Sequence, residues 1–226
     1  MRQKYKDRFR EVAVRLASQH GAANARRSTP GKKAPILLPK HIEQVEQFIA
    51  AESRYPVADQ LGFRLSLYAG LRAGEIVQMS IADLVERDGS ISSTVTVRPD
   101  IGKGGRGRSI PMHPKIADAA RTFLKFHPDM PFIAFARRGW RRGDPPKRQS
   151  VSSYTNYVHR MYRLAGLSSH SSHSGRRTFI TNLARNLGKD FSIRDVQVLA
   201  GHARLETTQE YVEPSDNMSS LVGRLK

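Results

Sequence analysis

Hydrophobic and polar positions follow two rhythms along this chain. From Leu38 onward the spacing of three to four residues that marks a helix face prevails. Ile42, Val45, Phe48 and Ile49 share one face of a predicted helix. Residues 57–71 are apolar almost throughout, which predicts a buried helix ending near Gly70. The two-residue rhythm of a strand occurs in Ile91-Ser-Ser-Thr-Val-Thr-Val-Arg98, which alternates and is β-branched. A glycine-rich turn from Gly102 to Gly107 follows, and Arg108 to Met112 returns as a second strand. Helical patterns recur at 115–126, 151–165, 175–187, 193–200, 204–211 and 216–224. The predicted fold class is α+β, mainly α, with one small antiparallel hairpin. No internal repeat interrupts the pattern.

The beginning of the chain reads differently. Residues 4–19 carry Phe9, Val12, Val14, Leu16 and Ala17 among charges, a weakly amphipathic helix. Residues 20–36 are rich in Gly, Ala, Arg, Ser and Pro, the composition of a flexible basic linker. Two units are therefore expected: a basic helix and linker over 1–35, and a packed domain over 36–226. The length of 226 residues and 38% apolar content suit one folded domain with an extension.

Charge narrows the function. The formal net charge is +18. Residues 1–40 hold 11 basic and 2 acidic residues, 101–148 hold 12 and 3, and 41–100 hold 5 and 9. Ordinary surfaces intersperse the signs. Two blocks this poor in acids point to a polyanion, with nucleic acid first and an anionic membrane surface second. Cysteine is absent, which excludes disulfides, thiolate metal sites and cysteine nucleophiles. No apolar run approaches the length of a membrane span, and Met1-Arg-Gln-Lys-Tyr-Lys leads into no signal segment. A soluble, intracellular, strongly basic protein with no membrane partner is expected.

Several motifs fail when read singly. Gly102-Lys-Gly-Gly-Arg-Gly107 fits the dinucleotide pattern, but a strand with Pro111 follows it instead of the helix that would receive a pyrophosphate. No phosphate-loop sequence for ATP occurs. His170, His173 and His202 lack the cysteine or carboxylate companions of a zinc site, so neither metal nor cofactor is indicated. Arg72 and Glu75 have the spacing of an ordinary helical ion pair, and Arg176 and Arg177 sit at a serine-rich helix start. Together, however, the arginines, a hairpin lysine, the histidines and a late tyrosine form a set able to transfer phosphoryl groups without a metal. Arginine grips phosphate oxygens with two parallel bonds and keeps its charge. A phenol needs positive neighbours and a base to act as a nucleophile.

In the order and spacing of these pieces the sequence resembles the tyrosine recombinases of the phage integrase family. Ala69-Gly-Leu-Arg-Ala-Gly-Glu75 resembles the first arginine box, and Gly102-Lys-Gly-Gly-Arg-Gly-Arg-Ser-Ile-Pro111 the β-hairpin lysine segment. His173-Ser-Gly-Arg176 resembles the H-x-x-R box, and Leu199-Ala-Gly-His202 with Tyr211 the final box. Two positions depart from the family habit: Gly175 stands where leucine is common and Arg177 where histidine is. The short segment before residue 36 also stands where most members carry a helical DNA-clamping domain.

The resemblance implies the recombinase catalytic fold and a site-specific recombinase or integrase of the kind carried by mobile genetic elements in prokaryotes and phages. Strands would be cut and rejoined through a 3′-phosphotyrosine link, with double-stranded DNA as partner and a tetramer formed on paired sites. It implies Arg72, Lys103, His173, Arg176, His202 and Tyr211 as catalytic residues. Arg106, Arg108 and Arg177 are read as further DNA contacts. The alternatives are a silent or regulatory DNA-binding relative and a type IB topoisomerase-like relaxing enzyme.

Overall fold

Three of the helices open on proline, whose missing N–H goes unneeded in a first turn. They are α1 (Pro39–Glu52), α2 (Pro56–Tyr68) and α4 (Pro114–Phe126). The structure is a computed structural model that describes residues 33–135, 145–187 and 191–211. The helices expected at 4–19 and 216–224, most of the linker and Arg137 to Arg142 lie outside those residues.

Between α2 and α4 come α3 (Ala73–Gln78), a single 3₁₀ turn (Ile81–Asp83), and the strands β1 (Thr94–Val97) and β2 (Arg108–Pro111). The strands pair antiparallel, Thr94 opposite Pro111 and Val97 opposite Arg108. After α4 follow α5 (Val151–Leu164), α6 (Ser174–Arg185), α7 (Ile193–Ala200) and α8 (Leu205–Gln209). The predicted class is what the structure has: mainly helical with a two-stranded sheet. The last helix is shorter than expected. It stops at Gln209, and Tyr211 closes a turn by donating its N–H to the Thr208 carbonyl at 3.0 Å.

Helix α2 is buried over most of its surface, packing against α1, α4 and α6. Leu61, Leu65, Leu71, Ile76, Phe123 and Ile180 join it in the main core, which the hairpin enters through Val95, Val97 and Ile110. A second cluster, including Val45, Ile49, Phe63 and Tyr162, fixes α1 and α5 to the other side of α2. Arg148 stitches the loop before α5 to α3 by donating to the carbonyls of Val77, Gln78 and Met79, the unsatisfied end of a short helix.

Gly175 explains one departure from the family habit. Helix α6 lies so close to α2 that a Cβ on Gly175 would stand 2.6 Å from Ser66 Oγ and 3.0 Å from its Cβ. Replacing Gly175 by alanine gains about 1 kcal/mol of helix propensity. Overpacking costs about 1–3 kcal/mol and outweighs it. Gly175→Ala is therefore expected to lower the thermal midpoint, and adding Ser66→Ala, which removes the nearest atom, Oγ, to recover part of the loss. An unchanged midpoint in Gly175→Ala contradicts this packing.

Candidate functional site

The site is assembled around one carboxylate. Glu75, in the first turn of α3, is 2% exposed. Its Oε2 accepts the backbone N–H of Arg72 at 2.8 Å, so the side chain caps its own helix. Its Oε1 accepts Arg72 Nη1 at 2.8 Å. Arg108 adds a two-pronged contact, Nη1 to Oε1 at 3.0 Å and Nη2 to Oε2 at 2.8 Å. Burial alone would raise the Glu75 carboxyl, but the bonds and charges of Arg108 and then Arg72 prevail and hold it at about 2.

Arg176, in the first turns of α6, is 5% exposed. Its Nη1 donates to the Gly70 carbonyl and its Nη2 to the Ala200 carbonyl, both at 2.6 Å. Neither acceptor carries charge, and Arg176 makes no ion pair among the described residues. Burial, then the charges of Arg72 and Arg108, lower it to about 9, still cationic at neutral pH. Gly70 is required where it stands. Its φ is +63°, and a Cβ there would lie 2.4 Å from the Phe179 ring.

His202 follows α7 after a left-handed Gly201. Its Nδ1 lies 2.9 Å from Oγ1 of the buried Thr208, and its ring stacks on Tyr211 with centroids 5.8 Å apart and 29° between planes. Burial, then Arg176, Arg72 and Arg108, lower His202 to about 4. His173, the N-cap of α6, is also lowered, by burial and then by Arg176, Arg72, His159 and Lys103. Both imidazoles are thus held toward the neutral form. Lys103 stands exposed on the hairpin turn.

Arg72, His173, Arg176, His202 and Tyr211 therefore share one electrostatic neighbourhood, with Lys103 at its edge. Cations outnumber the two carboxylates that reach this neighbourhood, and both are already paired, Glu75 with Arg72 and Arg108 and Glu210 with Lys33, so the arrangement suits an anion. Among the described residues no three His, Cys, Asp or Glu side chains gather as a metal-binding group. No helix among them is long and apolar enough to cross a membrane.

Residues 40–218 match the Phage integrase family. The chain belongs to that family. It is 26% identical over 200 residues to the tyrosine recombinase XerC of Vibrio parahaemolyticus, covering 81% of this chain and 56% of the relative. It is 30% identical over 203 residues to XerC of Mesorhizobium japonicum, covering 87% and 61%. The chain thus spans a little over half the length of these relatives. Its fold resembles the crystal structure of XerA recombinase, with a TM-score of 0.62 at 22% identity over 86% of this chain and 67% of the other. It also resembles XerH recombinase bound to palindromic difH substrate, with a TM-score of 0.61 at 18% identity over 88% and 55%.

Within this integrase-family domain two expected DNA contacts are engaged with the chain itself. Arg108 is not at the hairpin tip. It begins β2, and strand alternation puts it on the same side as Ile110, which is 2% exposed. Its side chain is 4% exposed and occupied by Glu75 and by the Leu199 carbonyl, which accepts Nε at 3.1 Å. Arg177 is turned away from its neighbour Arg176 by one helical step. It donates Nη1 to the Ala34 carbonyl at 2.8 Å, holding the segment before α1 where Leu37 N–H also donates to Thr178 Oγ1. Its guanidinium serves the chain's own backbone, which gives the second departure from the family habit a structural use. Arg106 is exposed on the turn.

Thr208 was not singled out from the sequence, and a threonine six residues after a histidine carries no signal of its own. Gly70 and Glu75 lie inside the first box, where the sequence makes Glu75 an ion-pair partner of Arg72, as the structure also has it. The lowered His202 sets a pH dependence. A histidine at about 4 when folded and near 6.5 when unfolded stabilises the fold above pH 6.5. That contribution is lost as pH falls from 6.5 through 4. His202→Gln is expected to flatten the decline of the thermal midpoint across that window; parallel curves for the two proteins contradict the placement of His202.

Proposed function

We propose that this chain is the catalytic part of a site-specific DNA recombinase that cuts and rejoins strands through a 3′-phosphotyrosyl intermediate, with residues 36–226 as the working unit. The observation that carries this reading is the gathering of Arg72 and Arg176 about His202, whose ring stacks on Tyr211, a set of donors for one phosphodiester beside one nucleophile. Family membership and the recombinase fold support it.

The chemistry follows from the groups. Arg72 and Arg176 donate to the non-bridging oxygens of the scissile phosphate and stabilise the charge that builds on them at the transition state. His202, with Thr208 donating to Nδ1, carries its proton on Nε2 and donates to the same oxygens. Neutral His173 accepts the phenolic proton as Tyr211 attacks phosphorus. The P–O5′ bond breaks as the bond from phosphorus to Tyr211 Oη forms, leaving a 3′-phosphotyrosyl link, and Lys103 gives a proton to the departing O5′. Attack by another strand's 5′-hydroxyl reverses the steps, so the bond energy is kept. Arg106 contacts the DNA backbone from the hairpin turn. Exchange of two duplexes calls for four such centres, hence a tetramer on synapsed double-stranded DNA.

Nicked duplexes with randomised half-sites test this on a denaturing gel. The wild-type chain is expected to form a covalent adduct with a selected subset, and Tyr211→Phe none. Arg72→Ala or Arg176→Ala lowers the adduct rate by at least about 100-fold, the scale of losing one transition-state donor. Lys103→Ala slows cleavage of normal DNA but not of a 5′-bridging thiol substrate, whose leaving group needs no acid. No adduct from the wild-type chain on any sequence contradicts the proposal.

A further inference from the structure

We infer that Arg108 is a positioning residue for strand cleavage: by occupying both oxygens of Glu75 it keeps the Arg72 guanidinium from closing on that carboxylate. The inference rests on the recombinase reading above. Arg72 meets Glu75 through one guanidinium nitrogen, Nη1. Its Nε and Nη2 have no partner among the described residues. A carboxylate three residues away on one helix start could take an arginine in a two-pronged grip, which is the stronger arrangement. That grip would turn Arg72 away from a phosphate. Arg108 prevents it, since it already donates to Oε1 and Oε2.

The same side chain holds two other parts of the site. Nε donates to the Leu199 carbonyl, at the end of α7. Gly201, the next turn before His202, lies against the Arg108 stem. A Cβ there would stand 3.0 Å from Cδ and 3.1 Å from Nη1, and the residue has φ +63°. His202 is therefore presented by a turn seated on Arg108. Because Arg108 also opens β2, the strand leading out of the Lys103 turn, it ties the hairpin base to Arg72 and His202 together. All three of its guanidinium nitrogens are committed within the chain, two of them to a carboxylate that neutralises its charge.

The test compares the wild-type chain with Arg108→Lys, Arg108→Gln and the double variant Arg108→Gln with Glu75→Gln. Single-turnover cleavage at saturating nicked DNA, affinity across salt, and thermal midpoint are read for each. Arg108→Gln is expected to cleave about 100-fold more slowly at saturation, the scale of a misplaced reactive group, with affinity and salt slope unchanged. Arg108→Lys keeps the charge but cannot span Glu75 and Leu199, so it falls between. The double variant cleaves faster than Arg108→Gln, because a neutral amide in place of the carboxylate no longer draws Arg72 in. Weakened binding, a flatter salt slope and intact saturated cleavage would make Arg108 a DNA contact and overturn the inference. A double variant no faster than the single also overturns it. Should Arg108→Gln unfold, the lysine variant decides: wild-type cleavage at saturation refutes positioning. A crystal structure of Arg108→Lys or Arg108→Gln reads the inference without activity. Arg72 gripping Glu75 with two nitrogens supports it, and Arg72 unmoved refutes it. Absence of cleavage by the wild-type chain counts instead against the recombinase reading.

Discussion

A buried carboxylate shared by two guanidinium groups governs this domain. An ion of either sign is costly to bury alone, and removing one partner of such a group leaves the others uncompensated. Glu75 is stable inside because Arg72 supplies a backbone and a side-chain donor and Arg108 supplies two more. The geometry in turn fixes three segments distant in sequence: the start of α3, the base of the hairpin and the end of α7. Each presents a residue of the candidate site. The carboxylate is thus both the helix cap of α3 and the point about which the cationic groups are arranged.

The surrounding field follows from what Glu75 does not neutralise. Arg176 is held by two carbonyl oxygens, which satisfy its hydrogen bonds without cancelling its charge. The excess of positive charge is felt by the nearest titratable groups. His173 and His202 are both shifted toward neutrality, and Thr208 Oγ1 lies 2.9 Å from one nitrogen of His202. A chain with a net charge of +18 therefore uses its basic residues in two ways. Arg72 and Arg108 are set at short range around one carboxylate, whereas Arg176 is held by backbone carbonyls and keeps its charge uncompensated.

Much of the fold was legible because burial leaves a rhythm. The surrounded helix α2 showed as an apolar run, and the hairpin as a β-branched alternation broken by glycines. Helix α7 lies at the expected 193–200, ended by the left-handed Gly201. The site was legible chiefly through the order of its boxes, since each box alone has an ordinary structural reading. Arg108 and Arg177 were misplaced for the same physical reason. Charge invites an outward reading, whereas face is set by periodicity. Arg108 shares a strand face with Ile110, and Arg177 is one helical step away from Arg176. The two-residue rule applied to β2 would have put Arg108 inside. Nothing comparable marks Thr208, or the hold of Arg177 on residue 34, because those contacts join positions far apart or without a motif.

The direct test is the titration of Glu75 itself. Carboxyl-carbon NMR, with the signal assigned by comparison with Glu75→Gln, follows its ionisation as pH is lowered on the folded chain. The arrangement described predicts that Glu75 stays ionised through the ordinary carboxylate range and protonates only near 2. A midpoint near the model-peptide value for glutamate, about 4.3, would show that Arg72 and Arg108 do not hold it, and would contradict the account.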